Sequence, residues 1–171
     1  MKKIGIVTDS HSSISQEEAK KLGIFVLPMP FYIDGECYYE SVTLSRELFF
    51  EKLTSGADIS TSQPSPTAVM EIWDKALEEY EKILYMPISS GLSSSYNTAM
   101  MLAQEEKYEG RVLVVDDGQV AAPLHQMILD TLDMIEKGYE AEHIRELLEK
   151  AGDRMMIYIA LQTLEFLKKG G

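Results

Sequence analysis

Cysteine is almost missing from this chain: Cys37 is the only one in 171 residues, which excludes an internal disulfide and leaves too few thiols for a structural metal site. It is assigned to packing. No run approaches the roughly twenty apolar residues of a membrane span, and the opening MKKIGIVTDS has an apolar stretch too short for a secretory signal. No transmembrane segment is expected, and the cytoplasm is the expected location. Basic residues are outnumbered, 16 against 28 acidic ones, for a net charge of −12. Spread over helical faces such as EIWDKALEEYEK, that charge repels nucleic-acid phosphates and anionic lipid, so no nucleic-acid partner is expected. The P-loop is absent as well, since no Gly-Lys-Ser/Thr occurs. Histidine is limited to His11, His125 and His143. With Asp9, Asp116 and Asp117 these show no ligand spacing, so neither a metal nor a cofactor is expected.

What is present is 45% apolar residues, arranged as short runs that alternate with amphipathic stretches. The length suits one domain of common size, able to bury roughly 70% of the surface its unfolded chain exposes. KKIGIVTDS reads as a buried strand that ends in a polar loop. ISQEEAKKLG reads as a helix, with Ser15 as N-cap, Glu18 as its capping-box partner and Gly23 as stop. Ile24–Leu27 is a strand, Pro28 and Pro30 break the chain, and Asp34-Gly35 marks a hairpin. A helix follows from Ser45.

Val69, Ile72, Trp73, Ala76, Leu77 and Tyr80 recur at helical spacing, as do Tyr96, Ala99, Met100 and Ala103, and later Ile144, Leu147, Leu148 and Ala151. Strands are expected at KILYMPI and at RVLVVDD as a third inner strand, and the end RMMIYIALQTLEFLKKGG reads as another strand and a short helix. Strands alternating with helices imply an α/β fold, a parallel sheet flanked by helices on both faces. Ligands of such sheets sit beyond the carboxyl ends of the strands. Three loops leave strand ends there: TDSHSS, PISSGLSSS and DDGQVAAP. The expected boundary lies at Gly152-Asp153, giving an N-terminal α/β domain over 1–152 and the beginning of a second lobe over 153–171.

The stretch PISSGLSSSY packs five serines between an apolar run and an amphipathic one. Serine at a strand-to-helix turn suggests the nucleophile elbow G-x-S-x-G, but Ser95 stands where the last glycine belongs. A serine esterase or thioesterase acting through Ser93 stays as the alternative. Helix capping by Ser93 or Ser94 explains one serine, not five. Extra hydroxyls beside a helix N-terminus make an anion cradle. A second hydroxyl-rich segment, ISTSQPSPT, places Thr61 and Ser62 before a proline-fixed helix start at Ser65 or Pro66. The methionines Met100, Met101, Met127 and Met134 read as core, and suit an adaptable apolar cavity.

KIGIVTDS, TSQPSP, ISSGLSSSYNTA, VVDD and IALQTLEFLKKGG, in this order and spacing over essentially the whole chain, resemble the DegV-like fatty-acid-binding proteins. The resemblance implies a non-catalytic carrier that buries a long acyl chain and holds the carboxylate by hydroxyls of its two Ser/Thr loops. Matched motif by motif, these fall on Thr61 and Ser93, with Ser62, Ser94, Gly91, Asp9 and Ser10 as supporting candidates. It also implies a partner, an ATP-dependent fatty-acid kinase subunit that receives the presented carboxylate for phospholipid synthesis. Family members continue past LKKGG into a second lobe that closes the pocket and adds a histidine, whereas this sequence stops at Gly171. Two segments depart from the family: Ser13 replaces a usual aspartate, and GQVAAPLHQ places Pro123 and His125 where small residues are usual, so that they crowd or reshape the pocket.

Overall fold

The computed structural model describes residues 2–39, 42–158 and 160. Strand β1 (Lys2–Asp9) runs into a 3-10 turn (Ser10–Ser12) and then α1 (Gln16–Leu22). The Ser15 hydroxyl accepts from the Glu18 amide, and Gly23 ends the helix at φ 69°. The Glu18 carboxylate meets His125 Nε2 at 3.3 Å, so that histidine is engaged with α1. β2 (Phe25–Leu27) returns beside β1.

The chain then leaves the sheet to make β3 (Pro30–Ile33) and β4 (Glu36–Tyr39), joined by Asp34-Gly35 with φ 51° and 83°. Positive φ at both positions is the hairpin turn that matches strand twist. α2 (Arg46–Thr54) starts at its N-cap Ser45, and β5 (Ile59–Thr61) pairs antiparallel with β3. α3 (Pro66–Glu79) opens with Ser65 as N-cap and Pro66 in its first turn, where a missing amide costs nothing. β6 (Tyr80–Met86), α4 (Ser95–Leu102), β7 (Val112–Val114), α5 (Ala121–Glu136) and α6 (Ala141–Gly152) follow.

The main sheet is wholly parallel, in the order β2-β1-β6-β7. Its period of two divides the core cleanly. Ile4, Ile6, Leu84, Met86, Leu113 and Val115 face α1, α5 and α6; Val7, Ile83, Tyr85, Val112 and Val114 face α3 and α4. Burial on both faces is why these strands read as apolar runs rather than alternating ones.

Several expectations need correction. β4, β3 and β5 form a separate three-stranded antiparallel sheet, so Thr61 ends a strand instead of lying in a loop. β7 is the outermost strand of the main sheet among the described residues. Residues 155–158 form no strand, and 159 and 161–171, where the short terminal helix is expected, lie outside the described residues. Cys37 is exposed on β4 rather than packed. The four methionines make no common stripe: Met127 is buried against one face, Met100 packs on the other, and Met101 is 70% exposed.

Candidate functional site

From β1 the chain turns to β2 on one side, whereas from β6 it turns to β7 on the other. The carboxyl ends of β1 and β6 therefore flank a topological switch point, where the crevice of an open parallel sheet forms. The serine segment leaves β6 at this place. Three loops meet around it. Ile88 N donates to Asp9 Oδ2 (2.9 Å), tying the start of the serine loop to the end of β1. Ser89 N donates to the Gln119 carbonyl (3.0 Å) and Ser90 N to Asp116 Oδ1 (3.3 Å), tying it to the loop after β7.

Ser89 is the pivot of the loop. Its hydroxyl accepts from Gly91 N (3.2 Å), and its carbonyl accepts from Leu92 N (2.9 Å) and Ser93 N (3.2 Å). Ser93 is half-buried, and its hydroxyl accepts from Ser95 N (3.2 Å), which accounts for one serine as a helix start. The hydroxyl proton of Ser93 stays available to an acceptor. Ser94 holds the N-cap position, yet its hydroxyl caps nothing and is exposed. The Ser95 hydroxyl is buried without a partner among the described residues. Gly91 has no positive φ, and a Cβ there would only reach ordinary contact with Ser89 Oγ at 3.5 Å, so sterics do not demand glycine. Ser93 likewise lacks the positive φ of a strained nucleophile turn.

The second hydroxyl-rich segment arrives by way of the small sheet. Met29 N donates to Ser10 Oγ (3.2 Å), which anchors the entry to β3 at the carboxyl edge of the main sheet. Thr61 pairs with Phe31, and Ser62 N donates to the Pro30 carbonyl (3.4 Å), so the end of β5 returns to that same edge. Gln63 Oε1 then accepts from Thr98 Oγ1 on α4 (3.1 Å), joining the two segments directly. Thr61 is exposed and its hydroxyl makes no hydrogen bond among the described residues, while the Ser62 hydroxyl donates to the Gln63 carbonyl (3.1 Å). Asp9 accepts from the amides of His11 and Ile88 and from the His11 ring, and Ser10 Oγ accepts from Met29 N, so both hold loops; among the described residues the hydroxyls of Ser10, Thr61, Ser93 and Ser94 donate to no acceptor. Gln63, Thr98, Asp116 and Gln119 carry the tethers and were missed. No local pattern marks a residue whose partner lies on another loop.

Electrostatics at the edge are unusual for an anion site. Asp117 is 1% exposed, and burial pushes its carboxyl up to about 7, with Asp116 and Asp9 adding to the rise. Its Oδ1 accepts from Gln119 N (2.9 Å), while Oδ2 is buried without a partner among the described residues. Gly152 at the end of α6 lets that helix press on the same loop: a Cβ there would lie 2.2 Å from the Asp117 carbonyl oxygen. The Tyr85 phenol, fully buried beneath the site, is held neutral by its burial and by Asp9. Pro123 sits in the first turn of α5. No helix among the described residues is long and apolar enough to cross a membrane.

Comparison with known proteins agrees with this architecture. A DegV domain-containing protein of Deinococcus radiodurans is 33% identical over 169 residues, covering 98% of this chain and 59% of its own length. One from Caldanaerobacter subterraneus subsp. tengcongensis is 29% identical over 171 residues, or 61% of that protein. The chain therefore spans about 60% of the length of these relatives. Among solved structures, a DegV family protein from Thermus thermophilus described as fatty-acid binding superposes with a TM-score of 0.79 at 32% identity, covering 88% of this chain and 54% of that one. DegV of Bacillus subtilis, described as a fatty acid binding protein, has the same fold (TM-score 0.78, 22% identity, 90% of this chain and 55% of that one). With the family model matching residues 3–171 and the fold shared across these relatives, the chain belongs to the DegV family.

Proposed function

We propose that this chain binds a long-chain fatty acid and presents its carboxylate, held by Thr61 and Ser93, to a separate ATP-using kinase subunit. One observation carries the reading: two hydroxyl-bearing segments far apart in sequence are joined through Gln63 and Thr98 at the switch point, with free hydroxyls beside the N-terminus of α4. The likeness to a fatty-acid-binding structure at 32% identity supports it. Burying an acyl chain contributes ~0.8 kcal/mol per methylene, and each hydroxyl bond to a carboxylate about 1.5–3 kcal/mol. The tail supplies affinity and the head supplies position. On this reading the chain is a carrier, and phosphorylation of the carboxylate belongs to the partner.

The test is a fluorescent fatty-acid displacement assay on Thr61→Ala, Ser93→Ala and the double variant. Each single change weakens palmitate binding by roughly tenfold or more, and the double variant loses less than the product of the two. A fatty alcohol, which lacks the anion, is nearly indifferent. Unchanged palmitate affinity in Ser93→Ala, with only the stability loss of a helix start, refutes the assignment. A serine-esterase reading has one observation in its favour, the pairing of His11 with Asp9 (3.1 Å). Ester turnover lost in Ser93→Ala would select it.

A further inference from the structure

The imidazole of His11 has no role in the site as described so far. Asp9 Oδ1 receives both the backbone amide of His11 (2.9 Å) and its ring Nδ1 (3.1 Å). The carboxylate is fully buried, whereas the imidazole keeps 36% of its side chain exposed. A carboxylate oxygen only accepts, so Nδ1 carries a proton and the ring orientation is set from below. Nε2 has no partner among the described residues. It bears a lone pair in the neutral ring and an N–H in the cation.

The other oxygen of the same carboxylate holds Ile88 N at the start of the serine loop. Imidazole and serine loop are therefore fixed to one buried group, on adjacent strand ends at the switch point. The charges around them are otherwise of the wrong sign for an anion. Segments 10–15, 61–66, 87–94 and 115–120, which build this edge, contain no lysine or arginine, and Asp9, Asp116 and Asp117 border it. His11 is the one side chain of these segments able to become positive.

We propose that His11 Nε2–H is a third, charged ligand of the anionic headgroup, and that binding the anion draws a proton onto the ring. The proposal rests on the fatty-acid reading and adds to it the source of positive charge. An anion at Nε2 selects the imidazolium, since the neutral ring presents a lone pair there. Ligand uptake and proton uptake are then one linked event, with equal and reciprocal coupling.

Asp9 alone touches the ring among the described residues; the other titratable groups lie on the elements around the 3-10 turn. β1 contributes Asp9; β6 contributes Tyr85, whose raised phenol stays protonated. The loop after β7 contributes Asp116 and Asp117, and Asp117 and Asp9 feel one another. α5, packed on the 3-10 turn, contributes His125, already paired with Glu18. Of these, Asp117 is the competing proton acceptor near neutral pH, which makes Asp117→Asn the necessary control.

The experiment is isothermal titration calorimetry of the whole chain with dodecane sulfonate, whose charge does not vary with pH, and with dodecanol. Buffers of different ionisation heat, at about pH 7, report protons taken up. The wild-type protein is expected to show net proton uptake with sulfonate and none with alcohol, and Asp117→Asn is expected to behave alike. His11→Gln keeps a side-chain N–H without the charge; it is expected to bind sulfonate at least about fivefold more weakly, without proton uptake, while its alcohol affinity holds. Independently of any variant, the wild-type His11 Nε2 nitrogen-15 signal should move to the imidazolium range with sulfonate and not with alcohol.

Equal sulfonate affinity in His11→Gln, or proton uptake lost in Asp117→Asn and kept in His11→Gln, overturns the proposal. Hydrolysis of a p-nitrophenyl ester by the wild type that His11→Gln abolishes overturns it too, by making the ring a general base. A wild-type protein that binds neither alkyl ligand refutes the fatty-acid reading itself, and this proposal with it.

Discussion

Asp9→Asn tests the idea that one buried carboxylate holds the crevice together. Its two oxygens serve different amides: Oδ1 accepts from His11 N (2.9 Å) and Oδ2 from Ile88 N (2.9 Å). Asparagine has a single oxygen. Whichever way it turns, one of those amides meets an NH2 group, donor against donor, in a site with no solvent access to the side chain. A hydrogen bond to a charged acceptor contributes about 1.5–3 kcal/mol, and a stranded buried donor costs its desolvation as well. The expected loss is about 2–4 kcal/mol for Asp9→Asn, with Asp9→Ala worse because both amides are stranded. In a chain of this size that corresponds to a fall in Tm of roughly 5–15 °C, readable by circular dichroism. Hydrogen exchange at the Ile88 amide should rise in both variants before global unfolding sets in. If Asp9→Asn lies within about 0.5 kcal/mol of wild type with Ile88 still protected, the carboxylate is not the tether.

Three further outcomes follow from close approaches and burial. Gly5→Ala would put a Cβ 2.6 Å from the Tyr80 ring, which is pinned by its hydroxyl bond to the Gly23 carbonyl (3.0 Å); a loss of about 2–3 kcal/mol in urea unfolding is expected, largely relieved in a Gly5→Ala/Tyr80→Leu background. Gly152→Ala would drive a Cβ to 2.2 Å from the Asp117 carbonyl oxygen, backbone against which nothing can swing aside; the chain should lose at least about 2 kcal/mol, and the amides of Ser89 and Ser90 should exchange faster. Asp117, whose carboxyl rises from 3.8 to about 7 on folding, binds its proton more tightly in the native state. Its contribution is therefore full below about pH 4 and is lost as pH climbs to about 7, by up to about 4 kcal/mol. Asp117→Asn should flatten that slope in pH-dependent unfolding, and an unchanged slope would show that another group sets it.

Much of this protein is legible along the chain because local rules govern it. Ser15, Ser45 and Ser65 each cap the helix expected of them, since a hydroxyl three residues before a free amide needs no tertiary help. Asp34-Gly35 makes its turn because both residues tolerate positive φ. The central strands announce themselves as apolar runs, since both faces of a parallel sheet are covered by helices. The ordered motifs likewise sufficed to name the family.

Tertiary structure decided what depends on partners distant in sequence. β5 is three residues with an exposed pattern, and it is a strand only because β3 offers it a ladder. Cys37 faces solvent because β4 packs only lightly, and the methionines part company because the sheet lies between their helices. The site shows the division most sharply. The serines are visible as a cluster, but which hydroxyls are engaged follows from bonds to Ser95, Met29 and Gln63 that no spacing encodes. Asp9 looked like one more strand-end acid. Only folding brings Ile88 onto one of its oxygens and the His11 ring onto the other, because a carboxylate has two acceptors and a sequence does not say whose donors will reach them.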